Sequence, residues 1–197
     1  VTEGPFFIES VGNSEDIRDG QLGLPFILCT TIVHQHTCHP ISKATVYIWV
    51  ANAYGLYSGY ENVTGPDFPN NPISDTRYLR GYQTTGSAGS VCFTMIYPGW
   101  YPGRTTHIHV EVYIKSRFVF VGQLFFDDKI SDFVYNHYCP YNTRDNNQRV
   151  KNADDTWFNK AGDTSVLDIK PTLYGYFSEI KMAIDPLHES DHKWPKN

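Results

Sequence analysis

Basic charge is in short supply in this 197-residue chain: 16 Lys and Arg stand against 21 Asp and Glu, a net charge of −5. A surface that neutralises phosphates needs the opposite balance, so nucleic acid is excluded as a partner. Long apolar runs are also missing. None approaches the roughly 20 residues that a membrane-spanning helix requires, and no membrane partner is expected. The chain has no internal repeat and no low-complexity tract, and charge at 19% with hydrophobic residues at 41% argues against wholesale disorder. Cysteine is limited to Cys29, Cys38, Cys92 and Cys139, at spacings that match no zinc motif. The even number is compatible with two disulfides in any of three pairings.

The opening "VTEGPFF" has neither a methionine nor an apolar signal region and reads as a processed start. "NVT" at Asn62, beside the loop signature "GPDFPNNP", is the one N-glycosylation sequon. Together with the even cysteine set, these features predict a secreted, extracellular protein.

What the sequence does have is aromatic residues, 15% in all, with 14 Tyr and 12 Phe, a composition that favours strands. Short β-rich runs at 24–33, 44–53, 90–97, 107–114, 117–126, 165–170 and 174–184 are separated by Gly, Pro, Asn and Asp. The expected fold is all-β: a single-domain antiparallel β-sandwich over residues 1–197, with long active-site loops and little helix. Residues 1–23 form an N-terminal arm, 65–82 a long loop, 127–138 one helical turn or two, and 140–164 an exposed polar loop.

The densest chemistry lies in "YPGWYPGRTTHIHVEVYI" (97–114). Strand side chains alternate faces. Ile108, Val110, Val112 and Ile114 therefore take one side, and His107, His109, Glu111 and Tyr113 the other. Two imidazoles about 6.5–7 Å apart along a strand can reach one metal ion. Spacing alone is weak evidence, because "VHQHTCH" holds His34, His36 and His39 similarly spaced with no arginine or tyrosine cluster beside them. Those three read as surface turn residues. Imidazole paired with phenolate suits a hard trivalent metal such as iron(III) better than zinc. On spacing alone, Tyr101 is either a ligand or a core aromatic.

"YPGWYPGRTTHIHVEV" resembles the iron-binding signature of the intradiol ring-cleavage dioxygenases. "TEGPFF", "IRDGQLGLPF", "ATVYIWVANAYGLYSGY", "YLRGYQTTGSAGSVCFTMIYPGWY" and "GQLFFDD" follow the same family in order, over roughly residues 2–128. The chain looks closest to the secreted eukaryotic branch. The resemblance implies one non-haem Fe(III) per chain, held by Tyr57, Tyr101, His107 and His109. It also implies a small aromatic diol and O2 as the partners, and cis,cis-muconate-type products. Tyr101 is implied to be the phenolate that leaves on substrate binding and takes a substrate proton. Arg104 is implied to stabilise negative charge on the bound ring, and Gln123 to line the substrate pocket.

Tyr54 and Tyr60 flank Tyr57 as competing assignments, and Tyr97 reads as structural. Thr2, Pro5, Phe6, Leu56 and Trp100 are further candidate pocket walls. Val50 departs from the polar residue many relatives carry there, a difference expected to bear on pocket polarity. Two rival readings remain. One is a zinc or iron(II) enzyme with a carboxylate ligand, for which Glu111 shares the histidine face; the other is a non-catalytic transthyretin-like binding module. The sequence carries no signal for an oligomeric state.

Overall fold

The computed structural model describes residues 2–61, 69 and 71–191; the Asn62 sequon lies outside them. The strands are β1 (Pro25–His34), β2 (Ala44–Trp49), β3 (Arg80–Thr84), β4 (Ser90–Ile96), β5 (His107–Ile114), β6 (Arg117–Phe125), β7 (Ile169–Pro171) and β8 (Tyr176–Ile184). Two helices, α1 (Asp128–His137) and α2 (Thr156–Ala161), lie between β6 and β7. One sheet runs β4-β1-β8-β7 and the other β3-β2-β5-β6. All pairs are antiparallel except β1 with β8, which run parallel. No helix among the described residues is long and apolar enough to cross a membrane.

Period-two patterning builds the sandwich. Ala44, Val46 and Ile48 of β2 share a core with Ile108, Val110 and Val112 of β5, and Phe26, Leu28, Phe93 and Met95 of the other sheet complete it. The second sheet also has a buried outer face. There Trp49, Tyr57 and Tyr60 pack under Phe6, Phe7 and Ile8 of the N-terminal arm, a separate apolar cluster. Consequently the first six residues of β5 are buried on both faces. Burying a Phe or Ile contributes about 1.5–3 kcal/mol, so the arm is an integral cover of this sheet.

The segment expected as a long loop, 65–82, in fact enters β3 at Arg80. Gly81 hides this strand from a patterning argument, since it has no side chain, and a Cβ there would lie 2.6 Å from Ile17. The arm also pairs with the outer edge of β3: Ser14 N donates to Tyr82 O and Tyr82 N to Gly12 O. Helix α1 is longer than expected, ten residues. The Asp127 carboxylate caps it by accepting from the amides of Lys129 and Ile130.

The loop 140–164 is only partly exposed. Tyr141, Arg149, Asn152, Asp155 and Phe158 are buried, and α2 lies within it. Its polar residues are used internally; Arg149, for example, bonds both Asp128 and Asp132. One disulfide forms instead of two. Cys29 and Cys92 face each other across β1 and β4, while Cys38 and Cys139 are free and exposed. Val50 is fully buried in the sandwich core, so the expected effect on pocket polarity does not arise.

Candidate metal centre

Antiparallel register lines up one row across the second sheet: Arg80 on β3 opposite Trp49 on β2, Trp49 opposite His109 on β5, and His109 opposite Gln123 on β6. Directly opposed residues share a face, so this row, together with His107, points to the outer, arm-covered side. Trp49 stacks flat on His109, with centroids 4.7 Å apart and planes within 8°.

Two loops bring the phenols to this row. After β2, the Asn52 side chain accepts from the amides of Tyr54 and Leu56, folding "NAYGLY" into a tight turn that aims Tyr57 inward. Gly55, at φ +82°, lets that turn press on the 98–101 loop, since a Cβ there would stand 2.2 Å from Trp100 O. The 98–101 loop delivers Tyr101 from the opposite side.

The result is a convergence of four groups. His107 Nε2 lies 3.1 Å from His109 Nε2, 3.2 Å from Tyr101 Oη and 3.4 Å from Tyr57 Oη. His107 Nδ1 donates to Thr105 O at 2.6 Å, which turns the Nε2 lone pair toward the others. Burial, and after it the Arg104 charge, pulls His107 down to about 3. Burial and then His107 hold His109 well below its ordinary value. Both imidazoles are therefore neutral donors at physiological pH. Burial also raises both phenols, with Tyr57 held well above the usual range.

This donor set fits a metal ion. Three groups crowd around one imidazole lone pair, more than a single hydrogen-bond acceptor can serve, whereas two oxygens and two nitrogens suit one cation. Phenols held protonated by burial give up their protons only to a strongly acidic ion. The carboxylate rival fails on geometry. Glu111 accepts from Tyr113 Oη at 3.0 Å, and among the described residues no group of three His, Cys, Asp or Glu could hold a metal. That includes His34, His36 and His39: His36 and His39 are exposed in the turn segment after β1, as expected, whereas His34 is the half-buried last residue of β1 itself.

Arg104 is fixed beside this cluster. Its Nε donates to Asp155 Oδ2 at 2.8 Å, its Nη2 donates to Gln123 Oε1, and its Nη1 lies 3.5 Å from His107 Nε2. Gln123 in turn donates to Thr2 O at 3.4 Å. The arm closes the other side. Phe6 stacks on Tyr57 at 4.6 Å and meets Tyr101 edge-on at 6.2 Å, and Gly4 lies against the His109 ring. Pro5 is half-buried within the same arm.

Other expected residues sort clearly. Tyr54 is exposed, and Tyr97 is buried with its hydroxyl on Ser131 Oγ, as its structural reading implies. Tyr60 packs edge-on against Phe6, apart from the donor cluster. Leu56 is 39% exposed on its loop. Trp100 is buried beneath Arg144, its Nε1 donating to Asn146 Oδ1 at 2.7 Å. Sequence reasoning missed Asp155, Trp49, Arg80 and Gly4. Trp49 alone carried a signal, because strand pairing could have placed it beside a histidine.

No protein-family model matches the chain, and no curated protein does; solved structures do. An intradiol ring-cleavage dioxygenase from Tetranychus urticae is 35% identical, with a TM-score of 0.92 over 99% of this chain and 97% of that one. The dioxygenase domain of a dioxygenase–carbohydrate-binding protein fusion from Streptomyces sp. SirexAA-E matches at 21% identity and a TM-score of 0.68, over 96% and 97% of the two chains. Catechol 1,2-dioxygenase from Acinetobacter sp. ADP1 shares the fold at 18% identity and a TM-score of 0.63, over 98% of this chain and 66% of that one. With a relative that similar over almost its whole length, and with two phenols and two imidazoles gathered beside an arginine, the chain belongs to the intradiol ring-cleavage dioxygenases.

Proposed function

We propose that this enzyme opens ortho-diphenol rings between their two hydroxylated carbons with O2, giving cis,cis-muconate-type products. In this reading Tyr57, Tyr101, His107 and His109 hold one Fe(III). The observation that carries it is the approach of three ligand atoms to within 3.4 Å of His107 Nε2, next to the half-buried Arg104 guanidinium on its buried Asp155 partner. Bound there, trivalent iron supplies the Lewis acidity that activates a coordinated diol toward O2.

The two phenols differ in a way that supports different roles for them. Tyr57 is 3% exposed and clamped under Phe6. Tyr101 is only partly buried and sits on a glycine-containing turn. Tyr101 is thus the phenol that yields to an incoming diol, and its oxygen accepts a substrate hydroxyl proton. Arg104, held by Asp155 and Gln123, presents its guanidinium to negative charge developing on the ring. Phe6 and the arm exclude water and, with Gln123, orient the ring.

Residues 1–197 act as one domain in this reading, and the Cys29–Cys92 disulfide supports an extracellular enzyme in aromatic-compound breakdown. The test is an absorption spectrum before and after anaerobic addition of catechol, followed by O2 uptake. A visible tyrosinate band that shifts on catechol is expected. A colourless protein with no shift and no O2 uptake would sink the reading.

A further inference from the structure

Arg80 is 5% exposed, yet none of the ion pairs among the described residues involves it. Its guanidinium is spent on neutral acceptors. Nε donates to Ser58 Oγ at 2.7 Å and to Ser58 O at 3.2 Å, Nη2 to Ser58 O at 2.8 Å, and Nη1 to Phe6 O at 2.5 Å. Burying a cation without a carboxylate is costly, and such a charge persists where something else compensates it.

The guanidinium carbon lies 5.7 Å from the centre of the Tyr57 ring and 5.9 Å from that of Tyr60. The hydrogen bonds of Arg80 go to the residue following Tyr57 and to the carbonyl of Phe6, whose ring stacks on Tyr57. Arg80 therefore grips both the loop that carries Tyr57 and the arm that covers it, while its charge faces the same ring. Tyr101 is held differently: Arg104, anchored on Asp155 and Gln123, donates its backbone N–H to Tyr101 O at 3.3 Å and its charge acts on the Tyr101 hydroxyl.

We propose that Arg80 is a positioning residue for Tyr57, supplying the counter-charge and the backbone anchors that keep this phenolate in place while Tyr101 moves. The inference rests on the reading of Tyr57 as a ligand. It gives the buried cation its missing anion, which exists once a metal has taken the phenol proton. The charge of Arg104 reaches both phenols, so what sets Tyr57 apart is the anchoring of its loop and its cover through Ser58 and Phe6 O.

The test compares Arg80→Lys, Arg80→Gln and Tyr57→Phe with the wild type. Each is loaded with Fe(III), and the tyrosinate band and iron retention against nitrilotriacetate are measured beside thermal melting. Arg80→Gln is expected to move the band to longer wavelength and weaken retention about tenfold or more, while Arg80→Lys restores both. Equal loss in Lys and Gln variants, matched by equal drops in melting temperature, would show a merely structural role and overturn the proposal. Wild-type behaviour of Arg80→Gln would overturn it too. If Arg80→Gln does not fold, Arg80→Lys decides alone: an unchanged band supports the proposal and a shifted band overturns it. A Tyr57→Phe protein with an unaltered band and full iron content would instead refute the ligand assignment, a separate failure.

Discussion

Trp49 lies face to face with His109 from the neighbouring strand, both rings buried and their planes within 8° of parallel. A flat indole at this position prevents the imidazole from rotating, as outer partners of metal-binding histidines generally do. Trp49→Ala is expected to cost about 3–5 kcal/mol in urea unfolding and to lower iron content per chain. Trp49→Phe, which keeps a ring, should lose less of both. Full iron content in a stably folded Trp49→Ala protein would contradict this role.

The three tyrosines around the loops should separate by spectrum. Tyr57→Phe is expected to lose or shift the visible band and bind less iron. Tyr101→Phe should retain iron but turn over on the order of a hundredfold more slowly, the scale of a lost proton-transfer group. Tyr54→Phe, altering an exposed side chain, should match the wild type in both. A bleached Tyr54→Phe protein would reassign the fourth ligand.

Asp155 should matter in a pH-dependent way. Burial pushes its carboxyl upward, but the hydrogen bond and charge of Arg104, then the amides of Phe158 and Thr105, outweigh burial and hold it below its ordinary value. A folded value below the unfolded one means stability that is present above about pH 4 and lost as pH falls through the folded value. Asp155→Asn is therefore expected to be about 1–3 kcal/mol less stable at pH 7. The two melting curves should converge in more acidic solution. Freed from its anchor, Arg104 should cost on the order of a hundredfold in kcat/KM. A stability gap independent of pH would sink this account.

Gly55 and Gly103 offer a controlled comparison. Both have positive φ, but a Cβ on Gly55 would meet Trp100 O at 2.2 Å, whereas one on Gly103 meets nothing within 4 Å. Gly103→Ala is expected to cost backbone strain alone, about 1–2 kcal/mol. Gly55→Ala should cost more and reduce iron binding, because the Tyr57 and Tyr101 loops can no longer interlock. Equal losses in the two variants would remove the interlock from the explanation.

Much of this site could be read from residue order. Alternation along "HIHVEVYI" placed His107 and His109 on one face, and that face is where they lie. The turn chemistry of "ANAYGLY" and "YPGWYPG" marked the loops that carry the phenols. What stayed hidden depends on partners far away in sequence. Asp155 sits in a polar stretch that resembles solvent-exposed loop, and its value comes from Arg104, 51 residues distant. Polarity predicts exposure only when no internal partner exists, and partners appear only when the chain has folded. Strand β3 was obscured by Gly81, and cysteine pairing by the register of β1 on β4, which puts Cys29 opposite Cys92 and leaves Cys38 and Cys139 outside the sheets.

The second sheet works as a partition, and the partition sets where this enzyme can change. Along β5, His107 and His109 face the proposed metal centre, while Ile108, Val110 and Val112 hold the sandwich together. The outer side, carrying Tyr47, Trp49, His107, His109 and Gln123, is covered by an arm and two loops that lie outside the eight strands. New diol preferences can therefore arise on one side of a strand without disturbing the packing on the other. A variant library confined to the arm and to outward positions other than the four proposed ligands would sample pocket shapes while leaving the foundation of the fold intact.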